Sequence, residues 1–444
     1  MLCRANWVML IVLLLMGTAA SLGQQAVPQR LTLGEAIRLA LKQNLSVLVA
    51  STQVDELEGT RQRRLASLLP HVNGSALENR ENIYLGALGI SFPGIPAVVG
   101  PFSHFDTRVS ANQSLIDRRS YHNWKASEKQ EEAARLDYQD SRDLVIRQAA
   151  GLYLDSQASR AEVGAAESRV TTSQTLAKLA HDQHTEGLAT AVDEVRAQVQ
   201  LARDQQNLLV ARNTYQTSLL VLAHFLGLSP GTPLDLAEPL KFHHVVLGDV
   251  GQALHSALEA RPDYASLFKE RESLVEQQKA SKARYLPTLS INGDYGAIGR
   301  GFGSVAGTGE IQGTLTVTLF DRDRTGEQVE LESRLKRLNE QIDDLDREIE
   351  QELRKAMLDL DSSESEVNVT EAALHLAERE LSLAQDRFQN GVNDNIEVVT
   401  AQTTLAGAQD DRIAALARHA DAIMALVRAL GGTEKIYQSY LSEP

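Results

Sequence analysis

The chain has 444 residues, a formal net charge of −15 and 5% aromatic residues. The acidic balance argues against nucleic acid as a partner, and a single cysteine, Cys3, excludes a disulfide within the chain. Ala, Gln, Leu, Glu and Arg are abundant, a mixture that favours long, exposed helices over a thick globular core.

Residues 1–23 have the features of an export signal. Arg4 precedes an apolar run from Trp7 to Met16, and small residues follow it through Gly23. The run is shorter than the ~20 residues that a membrane-spanning helix needs, so we predict that the segment is removed during secretion. No later apolar stretch approaches that length. The mature chain is therefore expected either to stay soluble or to cross a membrane as strands.

The rest of the sequence contains an internal repeat. An offset of 204 residues (391 − 187) pairs Gly187 with Gly391 and the residues around them, while an offset of 217 (287 − 70) pairs Pro70 with Pro287. Roughly half of the chain therefore occurs twice. The predicted organisation is a first repeat at 24–228, a Pro-rich linker at 229–246, a second repeat at 247–432 and a C-terminal tail at 433–444.

Each copy is predicted to contain a helix, two strands, a long helix, a turn and another helix. In the second copy the first helix is expected to run from Asp249 to a point before Pro287. Residues 288–299 and 311–320 follow as strands, because apolar and polar residues alternate in the second of them. The first copy has 13 extra residues (217 − 204), which fall in the Gly/Pro-rich apolar segment 86–102.

The long helices are predicted to extend for about 60 residues and 90 to 100 Å. Their apolar positions in the second copy are separated by three or four residues, which is the pattern of a coiled-coil seam: Leu331, Leu335, Leu338, Ile342, Leu345, Ile349, Leu353, Met357 and Leu360. Helices of this length need neighbours along their whole extent.

One hairpin per copy gives four strands, too few to close a barrel in a membrane, where open strand edges are not tolerated. Membrane-inserted strands would therefore have to be pooled among subunits. Two subunits would supply eight strands and three would supply twelve. The residues alone leave both possibilities open.

Several motifs, in this order and twice over, resemble the TolC-like outer membrane efflux family. They are the opening "LTLGEAIRLALKQN", the strand entries "LLP" and "YLP", the strand exits "LIDRR" and "LFDRD", and the related turns at Gly187 and Gly391. The resemblance implies a mainly α fold with a small β part: a homotrimer with a 12-stranded transmembrane β-barrel in the outer membrane lipid and an α-barrel in the periplasm. It also implies a periplasmic adaptor and an inner-membrane pump of the RND or ABC type, with no catalysis and no cofactor.

The resemblance places the two related turns at the periplasmic tip, where the pore narrows. Gly187 and Gly391 supply the backbone freedom that a sharp turn needs. The family carries acidic rings at the positions of Glu397 and Thr400, and only Glu397 preserves the acidic type here. Three copies of this carboxylate around a narrow axis would repel one another and attract cations.

The family's closed state also uses an Arg that holds an Asp on the neighbouring hairpin. Asp193 matches the Asp, but Asn393 replaces the Arg. A closing lock in this chain must be weaker or built differently, with Asp394 as a candidate. Phe388, just before the second turn, completes the predicted tip residues.

Other residue patterns have simpler interpretations. His181 and His184 have the i, i+3 spacing of metal ligands, but no third ligand is visible in the sequence, so a solvated helix face is favoured. His243 and His244 are interpreted as surface residues after the linker. The glycines at 299–309 open no helix and lack the Lys of a phosphate-binding loop, which indicates a hairpin tip.

The sequence therefore predicts an outer-membrane exit duct, not an enzyme. The duct would passively conduct small molecules or protein for a tripartite efflux or type I secretion system. The alternative is a soluble periplasmic coiled-coil scaffold or adaptor without a pore, which does not explain two alternating hairpins at matching positions. Whether the cargo is a drug, a metal or a protein is left open.

Overall fold

A computed structural model describes residues 29–91, 93–246, 248–301, 303–390 and 395–441. The predicted signal segment lies outside these residues. The helices are α1 (Leu33–Gln43), α2 (Leu45–Ala66), α3 (Arg118–Thr185), α4 (Ala191–Phe225), α5 (Val250–Ala260), α6 (Pro262–Lys282), α7 (Asp323–Gln389), α8 (Asn395–Leu430) and α9 (Thr433–Leu441). The strands are β1 (Gln29–Leu31), β2 (His71–Tyr84), β3 (Val98–Ile116), β4 (Leu234–Leu236), β5 (Thr288–Gly299) and β6 (Val305–Thr316).

The first helix of each copy is broken into two. Asn44 ends α1 and caps α2, accepting a hydrogen bond from the Ser46 N–H. In the second copy the break falls at Arg261, because Pro262 cannot continue α5 and instead begins α6. The prediction of one helix from Asp249 to the approach of Pro287 was wrong, because Pro262 has no N–H to continue the hydrogen bonds of the preceding helix.

The two predicted hairpins form one antiparallel sheet in the order β2-β3-β5-β6. Its register gives the two faces different character. One face is polar, and on it Arg108 pairs with Asp106 and Asp294, each at 2.8 Å. The other face carries mostly apolar or small side chains of β5 and β6: Leu289, Ile291, Gly293, Tyr295, Ala297, Val305, Ile311 and Leu315. The predicted alternation is thus realised as a sheet with one polar face and one apolar face.

The long helices α3 and α7 have 68 and 67 residues. Towards the sheet, α3 packs on α2 and α6; towards the far end it packs on α4 and α8, while α7 packs on α6 and α8. Six predicted seam positions of α7 are buried: Leu331, Leu338, Ile342, Ile349, Leu353 and Leu360. In the described part of the chain no helix combines the length and the hydrophobicity of a membrane span.

The predicted linker and tail contain structure that the sequence analysis did not foresee. Within the linker, β4 pairs in parallel with β1. Tyr153 lies fully buried beneath this pair and donates a hydrogen bond to the Leu31 carbonyl at 3.0 Å. The tail forms α9, whose first turn is anchored by Asp143: its carboxylate accepts from the Glu434 N–H at 3.0 Å. The middle of the molecule is therefore braced by the segments near both chain ends.

A buried ion cluster joins the two copies at this level. Arg261 is 3% exposed and pairs with Asp263 at 2.6 Å and Glu352 at 2.5 Å. Arg428 bridges Asp263 to Asp140 on α3. One cluster thereby connects α3, α6, α7 and α8. Buried ion pairs specify position more than they add net stability, but removing one partner leaves a charge uncompensated.

Among the residues that the structure describes, the chain has two unpaired sides. The sheet ends at β2 on one side and β6 on the other. The helical part continues these sides as α2 and α4, next to α3, and as α7, next to α6 and α8. Apolar side chains remain exposed on α4 and α7, with several spaced by three, four or seven residues: Val192, Val195, Val199, Leu209, Val210, Leu358, Val369, Leu376 and Leu383. Such stripes are typical of helices that pack against a further partner.

Replacing Arg261 with Met should lower the free energy of unfolding by about 3 kcal/mol, the lower end for a buried pair, because Asp263 keeps Arg428 and Glu352 is partly exposed. Arg261→Lys should be intermediate, since an ammonium keeps the charge but not the bidentate geometry. Urea unfolding of the detergent-purified protein, followed by circular dichroism, measures the effect.

Arg38 is the matched control, because it pairs with Glu35 at 3.8 Å on the exposed surface of α1, which is not among the helices of the two unpaired sides. Arg38→Met should change the free energy of unfolding by less than ~1 kcal/mol. Equal losses for the two Arg→Met variants would show that the buried cluster has no special role.

Candidate functional site at the helical tip

The first turn lies at the end of α3, farthest from the sheet. Gly187 has φ of 77° and ends the helix in a Schellman motif, in which the Gly187 N–H donates to His184 and the Leu188 N–H donates to Gln183. Thr190 then caps α4 through a reciprocal box with Asp193. The Thr190 hydroxyl is the main cause that holds the pKa of the Asp193 carboxyl below its usual value.

The second turn joins α7 to α8. Residues 391–394 are outside the described part of the chain, so the predicted Gly391, Asn393 and Asp394 are not placed. Phe388 is 4% exposed and packs with Val398 and Leu176 in one apolar cluster. Any contribution of Phe388 to the aperture would therefore act through the packing of α7 on α3 and α8.

Asn395 ties the two turns together. Its side chain is fully buried, and its Nδ2 donates to the Asp193 carbonyl at 2.9 Å. The backbone N–H of Asn395 also contributes to the lowered pKa of the Asp193 carboxyl. Asp193 pairs with Arg196 on its own helix at 3.1 Å. A neutral amide thus holds the Asp that the family resemblance expected to meet residue 393.

Glu397 lies in the first turn of α8 and is about half exposed. Its carboxylate approaches Arg387 of α7 at 3.3 Å, so the pair spans the second turn. The Thr400 hydroxyl donates to the Ile396 carbonyl of its own helix at 2.8 Å. The contact between Glu397 and Arg387 places a partly compensated carboxylate next to the end of the hairpin.

The two histidines near the first turn have a partner that the sequence analysis missed. Glu194 accepts from both rings: its carboxylate oxygens lie 2.8 Å from His181 Nδ1 and 2.6 Å from His184 Nδ1. Because Glu194 lies on the next helix, only the folding of the turn brings it close. Among the described residues, no group of three or more His, Cys, Asp or Glu side chains could hold a metal ion.

The histidines after the linker are also partnered. The His243 carbonyl lies 2.8 Å from Nε2 of the buried His419, and His244 pairs with Glu364 at 2.8 Å. The His244 side chain is exposed, as its interpretation as a surface residue requires, and its pairing with Glu364 adds a contact between linker and α7.

Comparison with known proteins assigns the chain to a family. Residues 36–228 and 253–432 match the outer membrane efflux protein family, so the two matched segments correspond to the two repeats. A probable efflux pump outer membrane protein of Pseudomonas putida, TtgC, is 23% identical over 425 residues, which cover 90% of this chain and 83% of that protein.

The fold is shared with solved outer membrane channels. VceC of Vibrio cholerae superposes with a TM-score of 0.77 at 19% identity, covering 90% of this chain and 96% of that one. CmeC of Campylobacter jejuni superposes with a TM-score of 0.78 at 16% identity, covering 92% and 89%. The predicted fold class, outer-membrane location and channel function are confirmed, in preference to the soluble scaffold. The chain belongs to the outer membrane efflux protein family.

Proposed function

We propose that three copies of this chain form a passive exit duct, gated at the helical tip and docked to a periplasmic adaptor and an RND or ABC pump in the inner membrane. The observation that carries the proposal is the pair of unpaired sides, β2 with α2 and α4 on one side and β6 with α7 on the other. Two different edges that complement each other generate a ring by head-to-tail contacts. Chemical catalysis is not part of this function.

The internal repeat supports a specific contact between copies. Within one chain, α3 meets α8 where Arg169 pairs with Asp410 at 2.9 Å. The repeat offset of 204 maps Arg169 onto Ala373 of α7 (169 + 204) and Asp410 onto Gln206 of α4 (410 − 204). The α7 of one copy should therefore meet the α4 of the next in the same antiparallel manner. One turn further along the two helices, this register juxtaposes the exposed residues Val369 and Val210.

Three copies fit the requirement for a conduit better than two. Two copies would give eight strands, and in barrels of about eight strands the side chains nearly fill the interior. Three copies give twelve, with more room around the axis. The polar face of the sheet, with Arg108, Asp106 and Asp294, would line the water-filled interior, and the apolar face would meet lipid.

Cargo selection is assigned to the other components of the pump. Relatives carry names that refer to different cargoes: a toluene efflux protein of Pseudomonas putida and a pyoverdine export protein, OpmQ, of Pseudomonas aeruginosa. Chains of one family therefore serve chemically unlike molecules. The duct proposed here conducts what the adaptor and pump deliver.

Cysteines at positions 210 and 369 test the register between copies. Because Cys3 is the only native cysteine, Val210→Cys with Val369→Cys should give a disulfide-linked ladder up to trimer on oxidation. The measurement is non-reducing electrophoresis of membranes, with each single variant as a control.

Val210→Cys with Leu383→Cys is the mismatched pair. Leu383 lies 14 residues beyond Val369 (383 − 369), about 21 Å along the helix, whereas a disulfide needs Cα atoms less than ~7 Å apart. Crosslinking of the mismatched pair but not of the matched pair would refute the register.

Asn395→Asp should loosen the tip and raise the single-channel conductance in planar bilayers. The substitution replaces the amide donor to Asp193 with a carboxylate beside another acid, which repels it across a buried contact. Asn395→Ala removes the hydrogen bond without the repulsion and should have a smaller effect. A conductance equal to that of the native channel in both variants would exclude Asn395 as a tie between the hairpins.

Glu397 and Arg387 should have opposite effects on ion selectivity. In the proposed trimer three Glu397 carboxylates surround the aperture, each partly neutralised by Arg387. Glu397→Gln should reduce the preference for cations, and Arg387→Gln should increase it, because the carboxylate is then uncompensated. Reversal potentials in a salt gradient measure the preference.

Glu378→Gln is the control for these two variants. It also removes one negative charge from the exposed surface of α7, but it lies ten residues before Phe388 (388 − 378) and therefore away from the turn. Its reversal potential should match that of the native channel. A shift as large as that of Glu397→Gln would mean that selectivity follows the total charge of the subunit and not the carboxylate at the aperture.

A further inference from the structure

We propose that His181, His184 and Glu194 form a proton-operated clasp that tightens the first tip turn as the surrounding solution becomes more acidic. The clasp connects the last turns of α3 to the first turns of α4 across Gly187. The clasp affects the stiffness of the first turn only. This proposal therefore does not depend on whether the tip gates the pore.

The geometry concentrates two imidazoles on one carboxylate. Each oxygen of Glu194 takes one ring nitrogen, at 2.8 Å for His181 and 2.6 Å for His184. Gln198 adds an amide donor to one of these oxygens at 3.1 Å. Neutral imidazoles already satisfy this arrangement through Nδ1–H, and protonation of His181 converts its contact into a charge-assisted hydrogen bond. This contact strengthens without any change of partners.

The second turn provides an internal comparison, because the same three positions carry different chemistry there. The repeat offset of 204 places Gln385, Phe388 and Val398 at the positions of His181, His184 and Glu194. Phe388 and Val398 are buried against each other in an apolar cluster. The chain thus closes one tip turn with a titratable contact and the other with an apolar contact.

The pKa shifts at the first turn agree with a titratable contact there. The hydrogen bond to Glu194 raises the pKa of His181, and the bonds from His181 and His184 lower the pKa of Glu194. A raised histidine pKa gives stability that is present below the unfolded value and lost as the pH rises. A lowered glutamate pKa gives stability that is lost only in stronger acid. The clasp is therefore tightest between the ordinary pKa values of Glu and His, about pH 4.3 to 6.5.

One neighbouring charge reinforces the clasp: Asp182 on α3 acts on His181 in the same direction as Glu194. Two neighbouring ion pairs are separate from it. On α4, Asp193 pairs with Arg196. At the adjoining ends of α7 and α8, Arg387 and Glu397 pair with each other across the second turn. The pH response of the first turn is thus assigned to the His and Glu side chains of the clasp.

Hydrogen exchange of the full-length protein in detergent, read by mass spectrometry, tests the clasp. Protection of the amides at 186–190, corrected for the intrinsic pH dependence of exchange, should rise by up to about tenfold from about pH 8 to about pH 5.5. Peptides that cover α8 from Asn395 onward should show no comparable change. A first turn whose protection is as insensitive to pH as α8 overturns the proposal.

A triple variant transfers the chemistry of the second turn to the first. His181→Gln with His184→Phe and Glu194→Val places the residue types of the second turn in the first, so the protection of the first turn should no longer depend on pH. Glu194→Gln keeps a hydrogen-bond acceptor without the charge and should remove most of the dependence. Retention of the full pH response in either variant assigns that response to other groups and refutes the clasp.

Discussion

The main constraint on this structure is an edge that lacks a partner, either a strand without a hydrogen-bonded neighbour or a helix with an exposed apolar stripe. A strand edge cannot remain open in hydrocarbon, and a helix with an apolar stripe cannot remain single in water. This chain has both kinds of edge on each of its two sides. In the proposed assembly its long helices would meet another copy along these sides. Within one chain, the buried ion cluster and the short sheet join the two repeats in the middle of the molecule.

That middle region links the two repeats into one body. The ion cluster around Arg261 and Arg428 connects helices from both copies, and Tyr153 supports the short sheet that the linker completes. The helices that reach the tip are therefore anchored at a distance from it. The tip itself has only a few polar ties among its described residues, including Asn395 with Asp193, and such a region is where low-energy rearrangement is expected.

Much of the fold could be predicted from the sequence, because periodicity and duplication are properties of the residues themselves. The structure has the two hairpins, buries six of the nine predicted seam positions of α7 and gives Gly187 the positive φ of a sharp turn. The break at Pro262, the strand within the linker and helix α9 were missed. The contacts at the tip could not be predicted from the sequence, because only the folded turns bring their residues together. Asn395 contacts Asp193, and Glu194 contacts two histidines of the preceding helix.

The duplication has a mechanical consequence for the assembled ring. Its helices would meet along an inner junction, between α3 and α8 of one polypeptide, and an outer junction, between α7 of one polypeptide and α4 of the next. The inner junction has an ion pair between Arg169 and Asp410, whereas the corresponding position of the outer junction holds Ala373 with Gln206, which cannot form one. Strain applied to the cylinder would therefore concentrate where one polypeptide abuts the next, and dilation would begin there.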